Sequence, residues 1–107
     1  MIIKGKISET QFKELKEIWG KMIKVVVDIK KEVIAAGCEL HIDCAEELTE
    51  NESESKNLWG ANIYPEDKKI YYISMINIRP AQNNQSMEIQ DENVKNQVRE
   101  IIEKLIF

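Results

Sequence analysis

Val94, Val98, Ile101, Ile102 and Leu105 recur at i, i+4, i+7, i+8 and i+11 behind Asp91. That spacing lays a single apolar stripe along one side of a helix, and Asp91 supplies its N-cap. A helix this one-sided draws its stability from an apolar surface to lie on. The rest of the chain must therefore supply a matching layer. A second helix is predicted over Glu9 to Trp19. Ser8-Glu9-Thr10-Gln11 reads as a capping box, Phe12, Leu15, Ile18, Trp19 and Met22 follow at helical spacing, and Gly20 is the stop.

Between these helices the periodicity changes. Val25, Val26 and Val27 are three consecutive β-branched residues, which favour a strand. Lys24–Ile29 pairs sensibly with Ile34–Glu39 through a turn at Lys30 to Val33, in the register where residue numbers sum to 63. Val25, Val27 and Ile29 then face Cys38, Ala36 and Ile34, and Lys24 meets Glu39. A helix over Met22 to Ala36 is the alternative. The second strand is expected to run on to Cys44, with Cys38, Leu40, Ile42 and Cys44 on one face and Glu39, His41 and Asp43 on the other. Residues 45–57 read as a short helical turn and an acidic loop. Leu58–Tyr64 and Lys69–Ile78 form the third and fourth strands around Pro65-Glu66-Asp67-Lys68. The expectation is an α+β fold: helix, β-hairpin, β-hairpin, helix. Its sheet has four strands, mainly antiparallel, with both helices on one face.

At 107 residues the chain makes one domain, residues 1–107, and 43% hydrophobic with 32% charged residues is the composition of a globule. The formal charge of −4 opposes nucleic-acid binding. No apolar run is long enough for a membrane span, and Met1 to Lys6 has no apolar leader, so a cytoplasmic location is expected. Cys38 and Cys44, six strand steps apart, would sit about 20 Å from each other. On that geometry they are free thiols, which fits a reducing compartment.

Three groups of residues carry chemistry. Glu39-x-His41-x-Asp43 on one strand face aims two carboxylates and an imidazole together, a ligand set for a divalent metal. The ordinary alternative is a solvated face with a local ion pair. His41 is the lone histidine and thus the candidate acid or base near neutral pH. Asn77 and Arg79 at the end of the fourth strand, leading to Asn84, offer a fork and amides to an anionic or amide-bearing ligand, or else tie down their own loop. Trp59-Gly60 inside a strand marks a close approach of another element, and mid-strand Asn62 needs partners if buried.

These residues also carry a resemblance. Val25-Val26-Val27-Asp28, Glu39-Leu40-His41-x-Asp43, Ser53, Leu58-Trp59-Gly60-x-Asn62-x-Tyr64-Pro65, Ser74-Met75-Ile76-Asn77-Ile78-Arg79-Pro80, Asn84 and Met87-Glu88-Ile89-Gln90-Asp91 span nearly the whole chain. Together they resemble an uncharacterised prokaryotic family of about this length, classified as a domain of unknown function. The resemblance implies a stand-alone domain and brings no activity, cofactor or substrate. The chain departs from the family pattern at Glu52, where Gly is expected. It departs also at Tyr71 and Ile73, expected acidic, and at Gln85, expected Arg.

Two functions follow as expectations. In the first, Asp28, Asp43, Asn62, Asn77, Arg79 and Asn84 bind a small polar or anionic ligand on a polar sheet face. His41 would be the acid or base there, and a divalent metal on Glu39, His41 and Asp43 an optional cofactor. In the second, the chain is an interaction module or homodimer, packing through a second apolar face around Trp59, Ile73 and Met75.

Overall fold

The computed structural model describes all of residues 1–107. Strand β1 (Ile2–Ile3) leads to helix α1 (Glu9–Trp19), then strands β2 (Ile23–Asp28) and β3 (Val33–Ala36). Helix α2 (His41–Glu50) and strands β4 (Leu58–Tyr64) and β5 (Lys69–Tyr71) follow, and helix α3 (Glu92–Leu105) closes the chain. The five strands form one sheet in the order β1-β3-β2-β4-β5, antiparallel throughout.

Local chemistry decides the two outer helices as expected. Ser8 Oγ accepts from Gln11 N–H, while Gln11 Oε1 accepts from Ser8 N–H at 3.4 Å, which completes the capping box. Gly20 stops α1 with φ at +78°, a conformation L side chains avoid. Asp91 caps α3 through Asn93 and Val94 N–H. Leu15 of α1 and the α3 stripe of Val98, Ile101, Ile102 and Leu105 share one core with Ile23, Val25 and Val27 of β2 and Trp59, Ala61 and Ile63 of β4. Both expected helices therefore do lie on one face.

The structure differs from the sequence expectation in four places. First, the β2–β3 hairpin forms, but Val25 faces Ala36 and Val27 faces Ile34, so paired numbers sum to 61. A shift of two residues keeps every side chain on its face, and the apolar pattern alone cannot tell the two registers apart. Second, β3 ends at Ala36 because Gly37 turns the chain at φ +81°. Residues 41–50 form a helix instead of a continued strand, because His41, Cys44, Ala45 and Leu48 make a buried helical stripe. With Val26, Ala35 and Leu58 this stripe builds a second core on the opposite sheet face. Third, the fourth predicted strand survives only as Lys69–Tyr71, and the chain then folds into short 3-10 turns at Met75–Asn77 and Pro80–Gln82. Fourth, β1 adds a strand at the edge of the sheet beside β3.

The helical turn after Gly37 also reverses the cysteine expectation. Cys38 and Cys44 are joined in a disulfide, with Cα atoms 5.9 Å apart. Six residues span far less distance around a helix start than along a strand. The free thiols that pointed to a cytoplasmic location are therefore absent. No helix is long and apolar enough to cross a membrane.

Candidate functional site

The face that α2 covers is where most of the predicted polar residues converge. His41 opens α2 and lies over β4, with Nε2 2.9 Å from the carbonyl oxygen of Ala61. Gly60 makes this approach feasible: a Cβ there would meet Ser74 Cβ at 2.5 Å and His41 Cδ2 at 3.2 Å. The contact also defines the ring. A carbonyl only accepts, so Nε2 must carry the proton, and in the neutral ring Nδ1 is the acceptor. His41 titrates below its ordinary value of 6.5, chiefly because burial disfavours its charged form and further because Lys24 is nearby. The Ala61 carbonyl and the neighbouring Asn62 amide oppose that shift. Asn62 Nδ2 reaches Ile73 O at 3.4 Å, while its Oδ1 is enclosed without a partner.

Asn77, Arg79 and Asn84 have their side chains engaged with backbone groups. Where β5 stops, the outer edge of β4 would expose unpaired backbone groups. Asn77, fully buried, replaces the missing strand with its side-chain amide. Its Oδ1 accepts from Gly60 N–H at 2.8 Å, and its Nδ2 donates to Gly60 O and to Met87 O, both at 3.0 Å. Arg79 continues the seal. Its guanidinium donates to the carbonyls of Leu58, Ile76 and Lys56 and lies 4.3 Å above the Trp59 ring. Asn84 Nδ2 is shared among the carbonyls of Asn77, Ser86 and Glu88, while Oδ1 accepts from Gln90 N–H. The carbonyl bonds are those expected of an Arg79 that ties down backbone.

The other predicted residues are dispersed. Asp28 is fully buried and holds two loops together. Its Oδ1 accepts from Lys30 and Lys31 N–H at 2.9 Å, and its Oδ2 accepts from Ser53 Oγ at 2.7 Å. Asp43 accepts from Leu40 N–H at the start of α2, the reciprocal half of a helix cap. Glu39 is exposed on the link into the helix. Because 39–43 is not a strand, Glu39, His41 and Asp43 do not share a face, and no group of three His, Cys, Asp or Glu residues is placed to hold a metal ion. Of the expected second apolar face, Trp59 is only 3% exposed, inside the α1–α3 core, whereas Ile73 at 37% and Met75 at 76% are exposed.

Two hollows flank α2 on this side and share Ile42 and Ile76 as a common ridge. One, of about 350 Å³, has His41, Lys24 and Ser74 as polar groups among Leu40, Met75 and the two isoleucines. The other, of about 400 Å³, runs past Leu58 to Ser55, Lys56, Arg79 and Gln82. The charged groups lining this double groove are Lys24, Lys56 and Arg79. Lys56 Nζ is paired with Glu54 Oε2 at 3.4 Å and Arg79 is bonded to backbone carbonyls, which leaves Lys24 as the cation without an ion-pair partner. Leu40, at 60% exposure, and Ile42 form its open wall. Sequence reasoning missed Lys24, Ser74 and this wall. The available signal was the pair Leu40 and Ile42, which a helix beginning at His41 leaves outside its buried stripe.

Residues 1–105 match the model of a family described as Protein of unknown function (DUF5674). Neither the curated proteins nor the solved structures contain a match to the chain.

Proposed function

The chain belongs to the DUF5674 family, and we propose that it binds a small ligand with an apolar body and an anionic group in the groove beside α2. One observation carries the reading: the apolar hollow beside α2 has Lys24 as its one charged lining residue, next to His41 and Ser74, on a chain of net charge −4. Such a lining concentrates anions locally against the field of the whole molecule. Ligand sites combine apolar walls with a few convergent polar groups, and the hollow around His41 has that composition. Lys24 would pair with the anionic group. Ser74 Oγ already accepts from Ile76 N–H, so its own proton is free to donate. Neutral His41, with Nε2–H committed to Ala61, would offer Nδ1 to an N–H or O–H of the ligand. In that pose His41 is the one group able to take up a proton, so any acid–base step would run through Nδ1.

N-acetyl-leucine and octanoate are suitable probes, since both join a carboxylate to an apolar body and the first adds an N–H donor. Titration followed by NMR should move the resonances of Lys24, His41, Ile42 and Ser74 to Ile76 together, and Lys24→Glu should abolish the effect. N-acetyl-leucine should bind more tightly than octanoate, and His41→Phe should erase that difference. If neither probe perturbs these residues up to about 10 mM, a ceiling of roughly −3 kcal/mol of binding, the reading is wrong.

A further inference from the structure

On the other side of α2, the Cys38–Cys44 disulfide borders a separate groove of about 380 Å³. Its charged lining has the opposite sign. Asp43, Glu46, Glu47 and Glu50 surround the bridge, offset only by the Met1 ammonium, 3.3 Å from Glu47 Oε1. The two sulfurs are not equivalent. Both residues line the groove, and as residues Cys38 is 8% exposed against 1% for Cys44, so the Cys38 side is the more open to an incoming nucleophile. Cys44 lies in the opening turns of α2, where the positive end of the helix dipole favours a thiolate. Attack at Cys38 expels the Cys44 thiolate, which the helix start favours and the surrounding carboxylates oppose.

We propose that Cys38–Cys44 is a thiol–disulfide exchange site that takes neutral or cationic small thiols in preference to anionic ones. The thiolate of the external thiol bonds to Cys38 Sγ, the Cys38–Cys44 bond breaks, and its electron pair leaves on Cys44 Sγ, which is then protonated. A second external thiolate attacks the external sulfur of the mixed disulfide and releases Cys38 as a thiolate. In total two external thiols are oxidised to their disulfide, and the protein bridge is reduced by two electrons to two thiols. The acidic rim sets the selectivity. It repels a thiolate that carries extra negative charge and tolerates one balanced by an ammonium group.

The exchange has a structural consequence. The bridge closes a ring that contains Leu40, His41 and Ile42, three residues of the basic groove on the opposite side. Reduction removes the covalent tie that holds this loop at the start of α2. The exchange reaction itself uses none of the basic groove, so it stands whether or not that groove binds a ligand.

The test uses the intact native chain with cysteamine, which is cationic, and glutathione, which is anionic, at equal thiolate concentrations. Reduced protein is read by alkylation and intact mass, and each rate is divided by that of the same reagent on urea-unfolded chain. Cysteamine should be favoured by about five-fold at low salt, from a two-charge difference acting at about a Debye length, and the ratio should fall towards one in high salt. Glu46 and Glu50 are exposed, so the double variant Glu46→Gln, Glu50→Gln keeps the fold and should reduce the preference. The His41 ring resonances should shift when the bridge opens. Equal normalised rates for the two reagents, or reduction only after unfolding, would each overturn the proposal, and unchanged His41 resonances would overturn its structural consequence.

Discussion

Replacing Asn77 by Ala should be among the most damaging single changes in this chain, although Asn77 lines neither hollow beside α2. Its side chain satisfies one N–H and two carbonyls, at 2.8, 3.0 and 3.0 Å, from a position with no solvent exposure. A buried backbone group left unpaired costs about 1–3 kcal/mol. Met87 O keeps its bond from Ser74 N–H, so the N–H and C=O of Gly60 are the groups left without this partner. With some relief from water entering the space of the lost amide, the expected loss is about 2–4 kcal/mol. A domain of this size has about 5–15 kcal/mol in total, so the variant should fold but unfold at much lower denaturant. With a urea slope of about 1–3 kcal/mol per molar, the midpoint should fall by about 2 M at unchanged slope. Asn77→Asp sharpens the test. It keeps the acceptor for Gly60 N–H but turns a carboxylate towards the Gly60 and Met87 carbonyls, so it should cost at least as much as Asn77→Ala. Hydrogen exchange should show the Gly60 amide losing protection ahead of the β2-paired amides of β4. A loss under about 1 kcal/mol for Asn77→Ala, or a milder effect for Asn77→Asp, would refute the view that this amide stands in for a strand.

Three further outcomes follow from the same geometry. Gly60→Ala places a Cβ 2.5 Å from Ser74 Cβ, so it should destabilise by about 1–3 kcal/mol, and Ser74→Gly in the same chain should recover part of that loss in thermal melts. The lone histidine makes NMR titration unambiguous: His41 should titrate below 6.5. Since the unfolded chain then binds the extra proton, stability should rise with pH through the window that ends just above 6.5, and His41→Gln should flatten that rise; a midpoint at or above 6.5 contradicts the burial argument. Cys38→Ser with Cys44→Ser opens a ring whose ends are six residues apart, which chain entropy values at about 2.4 kcal/mol, or about 10 °C in Tm for a chain of this length; no change in Tm would remove the bridge as a stabilising element.

What the sequence determined by itself is the part governed by neighbours within a turn or two. Ser8, Gln11 and Gly20 bound α1, and Asp91 with its stripe bounds α3, because caps and 3.6-residue spacing act locally. The β-branched run at Val25 to Val27 likewise marked β2, and Leu58–Tyr64 is the strand its residues indicated. The stretch Cys38 to Cys44 shows where local reasoning stops. Its alternation of apolar and polar residues fits a strand, whereas a helix reading requires His41 to count as a buried residue. It becomes one only when Ala61 O and the open surface over Gly60 are in place, about twenty residues further on. The site was legible in the same partial way. His41 and Asn62 stood out and do come together, and Arg79 and Asn77 stood out for their chemistry. What those two side chains are spent on depended on β5 stopping short and leaving an edge of β4 to close. The polar motif named the residues, but which became caps or substitute strands was decided by which backbone groups the tertiary fold left unpaired, since a buried N–H or C=O must find a partner wherever one can reach it.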